Sequence, residues 1–152
     1  MRDEILGLDL ALHCGWARVL GGKVYELGLL DFSRARDVDG GHNGHAFRAL
    51  YQWLGDNARD GTQLVYELAH HRGGPATRLA CGWQATVQLF AARRGLPSPM
   101  AVATMTLKKW ATGSGKASKG DMMQWASKVV GEQITDDNEA DAVAVALWGA
   151  GQ

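Results

Sequence analysis

The stretch ILGLDLALHCGWARVL, residues 5 to 20, constrains this chain most. Ile5, Leu6, Leu8 and Leu10 make a short apolar run of the kind that forms a buried strand, and Asp9 sits inside it. Aspartate is depleted from strands, and an unpaired buried carboxylate costs several kcal/mol, of the order known for buried polar groups. The fold must therefore bring something to Asp9 that compensates it, or the strand reading fails.

The pattern that follows sets the fold class. Residues 4 to 10 read as a first strand, Trp16 to Leu20 as a second and Lys23 to Leu30 as a third. Gly21-Gly22 is a two-residue hairpin signal between the last two. A polar, glycine-rich loop runs from Asp31 to about Gly41. Ala46, Phe47, Leu50, Tyr51, Trp53 and Leu54 then recur at helical spacing, and this helix ends before Gly61. QLVYEL, residues 63 to 68, reads as a fourth strand ending near Glu67. Ala76, Leu79, Ala80, Trp83, Val87 and Phe90 predict an amphipathic helix closed near Gly95 and Pro97. MAVA at 100 to 103 is a short fifth strand. Helices are expected at Thr106 to Ala111, Lys119 to Val130 and about Asn138 to Trp148, with the flexible stretch TGSGKASKG between the first two. Antiparallel strands followed by alternating helices and strands imply an α/β fold: a five-stranded mixed sheet with helices on both faces and the later strands parallel.

The 152 residues suit a single domain, 1–152, with a core of its own, and no apolar stretch reaches the roughly 20 residues of a membrane helix. MRDEILGLD does not read as a signal peptide. Cys14 and Cys81 make no disulfide framework, which suits a reducing cytoplasm. Net charge is zero but unevenly spread. From Leu68 to Gly120 there is no acid, while Arg72, Arg78, Arg93, Arg94, Lys108, Lys109, Lys116 and Lys119 contribute +8. That segment is either a solvated basic surface or a face for phosphates, beside carboxylates gathered elsewhere.

The last acidic group is TDDNEADAVAVALW. Asp136, Asp137 and Glu139 suit a helix N-terminus by capping and the helix dipole. Asp141 lies one turn further in, where Ala142 to Leu147 are nearly all apolar, and Asp137 and Asn138 can share its helix face. If the first and fourth strands are neighbours, Asp9 and Glu67 converge and the last helix adds Asp141. Like charges so close repel unless a cation lies between them, and hard oxygen ligands suit Mg²⁺ or Mn²⁺. Two such ions about 4 Å apart serve phosphodiester hydrolysis. The competing reading keeps Asp9 as a turn cap, Glu67 as a solvated strand end and Asp141 as a helix-surface residue.

Four blocks, in order along nearly the whole chain, resemble the RuvC family of Holliday-junction resolvases in the ribonuclease H-like superfamily. GLDLALHCGWA is similar to the family's first-strand motif, and VYELA to its second. LKKWATGSGKASKGDMM resembles a segment with a lysine, a Gly-x-Gly loop and a second lysine opening a helix. NEADAVAVAL resembles the final Asp-Ala motif. The resemblance implies a five-stranded ribonuclease H-like sheet and a homodimer that cuts two strands of a four-way DNA junction with Mg²⁺ or Mn²⁺, two ions per site. By position it makes Asp9, Glu67 and Asp141 metal ligands and sets Lys108 and Lys119 near the scissile phosphate. The family's further aspartate, three residues before the last, is here Asn138, so the fourth ligand is Asn138 or its neighbour Asp137. The family's junction-centre aromatic is replaced by His70, followed by His71 and Arg72. Leu10-Ala11 stands where the family has Pro-Gly. These departures make the chain similar to compact phage or prophage members acting in recombination and repair in the bacterial or phage-infected cytoplasm. The helix bearing Trp83 is either the dimer face that the resemblance implies or an ordinary core face.

Other signals point elsewhere less well. GSGKAS lacks the glycine that a nucleotide-binding loop needs at the position of Trp110, so a DNA-contacting loop is expected and no nucleotide cofactor. HNGH at 42 to 45 with His13, Cys14, His70 and Cys81 lacks zinc-ligand spacing, and Ser114 and Ser118 have no evident base. The expected activity is a metal-dependent, structure-selective DNA endonuclease with His70, His71, Arg72, Arg78, Lys108, Lys109, Lys116 and Lys119 along the DNA. Its rivals are a nuclease for flaps, forks or RNA–DNA hybrids, a non-catalytic junction-binding protein, and an ATP-using protein of the actin and sugar-kinase type, for which the chain is too short.

Overall fold

The computed structural model describes residues 4–35, 43–68 and 73–152. Five strands form one sheet: β1 (Ile5–Asp9), β2 (His13–Leu20), β3 (Lys23–Asp31), β4 (Gln63–Leu68) and β5 (Met100–Ala103), in the order β3-β2-β1-β4-β5. The first three are antiparallel, and β4 and β5 run parallel to β1. The expected mixed sheet is thus observed. Gly21 and Gly22 close the β2–β3 hairpin with φ of +57° and +78°, the left-handed pair that a two-residue turn of this twist requires.

β2 begins at His13, three residues before the start expected from its apolar residues. Backbone pairing explains this: His13, Cys14 and Gly15 pair with Asp31, Leu30 and Leu29 of β3, and Gly15 also pairs with Asp9. Among the described residues there are also a short 3-10 helix, Ser33–Ala35, and five α-helices: α1 (Gly44–Asn57), α2 (Pro75–Arg94), α3 (Thr104–Thr112), α4 (Lys119–Val130) and α5 (Asp137–Ala150).

The two-residue alternation of the strands divides the core in two. Leu6, Leu8, Cys14, Leu64 and Tyr66 face α1 and α2, where they meet Leu50, Leu54, Trp83, Val87 and Phe90. Ile5, Ala17, Val19, Val65 and Val102 face the other layer, with Leu107 of α3, Met122 and Ala126 of α4, and Ala142 to Ala146 of α5. Trp83, Val87 and Phe90 are each no more than 1% exposed. Trp83 lies against Phe32 and Phe47, at ring-centroid distances of 5.5 and 5.0 Å. The centre of the α2 stripe is therefore core, which decides the alternative posed above for these three side chains.

α5 is hydrophobic almost all round, the mark of a buried helix, and it crosses β1 and β2 at very short range. A Cβ placed on Gly7 would stand 2.5 Å from the Ala146 nitrogen and 2.7 Å from the Ala142 oxygen. Only glycine on the strand, facing alanines on the helix, allows this approach.

The opposite end of the sheet holds a buried ionic group that the sequence pattern did not reveal. Arg18, 5% exposed, donates to Glu4 at 2.9 Å, pairs with Glu26 at 3.0 Å and reaches Asn57 at 3.3 Å. Glu4 also accepts hydrogen bonds from Thr62 and Tyr25. With several donors on one carboxylate, the Glu4 pKa lies below its usual value although burial opposes this.

Candidate active site

Asp9 ends β1 and Glu67 lies one residue before the end of the parallel strand β4, and parity aims both at α5. Ile5, Gly7 and Asp9 alternate onto one face of β1, and Val65 and Glu67 onto the same face of β4. The carboxyl ends of parallel strands are where open α/β sheets gather their sites. α5 brings Asp141 to the same place. One carboxylate oxygen from each of Asp9, Glu67 and Asp141 lies within 4.8 Å of the others. Three acids separated by 58 and 74 positions along the chain thus meet, as the opening tension at Asp9 required.

Gly15 sets how closely they meet. A Cβ there would fall 2.0 Å from the Asn138 oxygen and 2.3 Å from its carbonyl carbon. The first turn of α5 therefore rests directly on the β2 backbone, beside Asp9, which is Gly15's partner in the ladder. Asp136 fixes that turn from outside the helix: its carboxylate accepts from the backbone nitrogens of Asn138 and Glu139 at 2.8 and 3.2 Å. Asp136 is thus the helix cap, as its position suggested.

The trio repels itself. Burial first, and then the charges of Asp141, Glu67, Asp137 and Asp136, push the Asp9 pKa up to about 8. Asp141 is pushed up to about 7 by burial, Glu67 and Asp137, against the opposing pull of Lys108 and Lys119. Without a cation the site therefore keeps protons near neutrality. A divalent ion among these oxygens would release them, and an all-carboxylate donor set fits Mg²⁺ or Mn²⁺ by hardness and charge.

The remaining expected residues are placed as follows. Lys119 is the first residue of α4 and pairs with Asp137 at 3.2 Å. A capping box holds the start of α4: Ser118 Oγ accepts from the Asp121 nitrogen at 3.0 Å, and Asp121 accepts from the Ser118 nitrogen at 2.9 Å. Lys108, half-buried on α3, lies near enough to stabilise the charge on Asp141. Asp137 acts electrostatically on Asp9 and Asp141 but stands outside the close trio. Asn138 lines an apolar hollow of about 440 Å³ with Leu10 to His13 and Ala76, Leu79, Ala80 and Trp83.

Arg78, Lys109 and Lys116 are exposed, on α2, on α3 and in the loop before α4. That loop, read as flexible, is anchored by buried Ala117 and by the Ser114 nitrogen donating to Thr112 Oγ1 at 3.3 Å. His70, His71 and Arg72 lie outside the described residues. Sequence reasoning missed Thr104, whose hydroxyl donates to Glu67 Oε1 at 2.5 Å. The signal available for it was a hydroxyl residue directly after a strand expected to run parallel to the one ending in Glu67.

No family model matches the chain. It is 29% identical to the crossover junction endodeoxyribonuclease RuvC of Chlamydia muridarum (strain MoPn / Nigg), over 97% of this chain and 91% of that protein. Its fold superimposes on the Thermus thermophilus RuvC structure with a TM-score of 0.71 at 17% identity. It also superimposes on T. thermophilus RuvC in complex with Holliday junction substrate, with a TM-score of 0.72 at 18% identity. Each match covers 97% of this chain and 93% of the other. The resemblance carried by the four motifs thus extends along nearly the whole chain, which is similar to RuvC in sequence and in fold.

Proposed function

We propose that this chain is a metal-dependent endonuclease that resolves four-way DNA junctions. The observation that carries the reading is the meeting of Asp9, Glu67 and Asp141 at the carboxyl ends of β1 and β4, with one oxygen from each within 4.8 Å of the others. The Chlamydia RuvC similarity and the RuvC fold support it. Asp9, Glu67 and Asp141 would hold Mg²⁺ or Mn²⁺, two ions per site, with Asp137 the nearby carboxylate available to complete the set in place of Asn138. When bound, such ions would activate water for in-line attack on phosphorus and stabilise the leaving oxygen.

The protein's own groups supply position and charge. Gly7 and Gly15 let α5 lie close enough to bring Asp141 to Asp9. Lys108 and Lys119 offset charge that builds on the phosphate in the transition state. Asp137 pairs with the exposed Lys119 at 3.2 Å and so draws that cation toward the site. Arg78, Lys109 and Lys116 add backbone affinity that falls with salt. A homodimer would present two such sites to the two symmetric strands of a junction, so that paired nicks follow from paired subunits.

The test is a cleavage panel of four-way, forked, flapped and RNA–DNA hybrid substrates, with Mg²⁺ and with chelator. The expected result is symmetric nicking of the four-way junction that requires the metal. Preferential cutting of flaps, forks or hybrids would assign a different substrate, and junction binding without nicking would make this a binding protein.

A further inference from the structure

Thr104 opens α3 directly after β5, and β5 runs alongside β4 with Val102 opposite Glu67 and Ala103 opposite Leu68. The chain therefore turns into the helix just past the level of Glu67, and Thr104 Oγ1 meets Glu67 Oε1 at 2.5 Å. The same hydroxyl oxygen stands 3.5 Å from the Leu68 carbonyl, so both of its nearest acceptors belong to the end of β4. Thr104 is half-buried, at the base of the helix that carries Lys108 toward Asp141.

Glu67 differs from the other two acids in how it is held. Asp9 and Asp141 have short side chains on a central strand and a buried helix. Glu67 has an extra methylene and sits one residue from the end of its strand, so its carboxylate needs a further restraint to keep one orientation. A hydroxyl provides this without neutralising the acid, as a lysine there would. It takes a lone pair on Oε1 and leaves the other oxygen free, and a hydrogen bond to a charged acceptor is of the stronger kind. We infer that Thr104 is a positioning residue for the metal site: through its hydroxyl it holds the Glu67 carboxylate in the orientation that serves a cation shared with Asp9 and Asp141. The inference rests on the proposal above that these three acids hold a divalent ion.

The test compares full-length wild type with Thr104→Val, Thr104→Ala, Thr104→Ser and Asp9→Asn. Mn²⁺ affinity is measured by titration calorimetry, the cleavage rate at saturating junction over a range of Mn²⁺, and junction affinity in chelator. Loss of a partner bonded to a metal ligand commonly lowers affinity or activity by roughly 10- to 100-fold. Valine and alanine are expected to weaken Mn²⁺ binding by that factor and to slow cleavage most at low Mn²⁺, with junction affinity unchanged; serine is expected to restore both. Wild-type Mn²⁺ affinity in the valine and alanine variants, or a loss that serine fails to restore, would overturn the assignment. If Asp9→Asn binds Mn²⁺ as wild type does, the metal site itself fails. If Asp9→Asn loses binding while the valine and alanine variants keep it, only the role of Thr104 fails.

Discussion

Replacing Gly15 by alanine tests whether the acids are brought together by backbone contact between β2 and α5. The added Cβ would lie 2.0 Å from the Asn138 oxygen, and ordinary contact begins at 3.4 Å, so the two segments must separate by about 1.4 Å. The obstacle is helix backbone, which cannot swing aside as a side chain can. Nor can β2 retreat freely, because Gly15 is paired with Asp9 on one side and Leu29 on the other. The displacement therefore falls on the first turn of α5, which carries Asp137 and leads to Asp141. Overpacking of this kind costs about 1–3 kcal/mol, and a misplacement near 1 Å at a reacting centre can cost roughly 100-fold in rate. Thermal unfolding, Mn²⁺ titration and junction cleavage should all be measured on the one variant. Gly149→Ala is the comparison: its Cβ would meet Val65 Cγ2 at 2.6 Å, at the far end of the same helix. Both variants should be destabilised, and Gly15→Ala alone should lose metal affinity and cutting out of proportion to its stability. Wild-type cleavage and melting temperature in Gly15→Ala would refute the reasoning.

Other outcomes follow from the same geometry. Burial and the neighbouring acids push Asp9 up to about 8 and Asp141 up to about 7, above the ordinary 3.8, so the metal-free fold holds protons that the unfolded chain releases. Stability of the metal-free protein should therefore decline as pH rises from about 4 to about 8, with Mg²⁺ restoring it most at the alkaline end; melting curves with and without chelator check this, and a stability rising over that range would contradict it. Lys119→Ala should slow cleavage by roughly 100-fold, as loss of a transition-state donor does, while weakening junction binding far less; an equal loss in both would make Lys119 a binding residue only. Asp137→Asn should also slow cleavage, and unchanged kinetics would remove Asp137 from the site. Arg18→Ala strips the buried Glu4 of its partner and should cost about 3–5 kcal/mol in denaturant unfolding, with the surviving folded fraction still cutting, because Glu4 precedes β1 and Asp9 ends it.

Much of this architecture was legible because it rests on short-range rules. Alternation in ILGLD and QLVYE separates Leu6, Leu8, Leu64 and Tyr66 from Asp9 and Glu67, so once β1 and β4 are neighbours both acids must face the same helix. The apolar run Ala142 to Leu147 marked α5 as buried, and Asp141 at its edge as unusual. What escaped the sequence depends on contacts between distant segments. Nothing local to Gly15 says that Asn138 will rest on it, and nothing local to Arg18 says that Glu4 and Asn57 will join Glu26, its neighbour across the hairpin. Arg18 in a largely apolar strand was the same kind of anomaly as Asp9, with Glu26 near it across the hairpin and Asn57 39 positions away. The α2 stripe was ambiguous for a different reason: a helix face reads alike whether it packs on its own sheet or on another subunit, and the rings of Phe32 and Phe47 decided it for Trp83. Thr104 was hidden because a threonine at a helix start has ordinary local uses.

The central claim is that Asp9, Glu67 and Asp141 together hold a divalent cation. Anomalous diffraction from crystals soaked in Mn²⁺ tests it most directly. The account predicts a manganese peak ligated by oxygens of all three carboxylates and absent in Asp9→Asn crystals grown and soaked alike. Manganese bound elsewhere, or three carboxylates that stay together with no ion among them at saturating Mn²⁺, would contradict it.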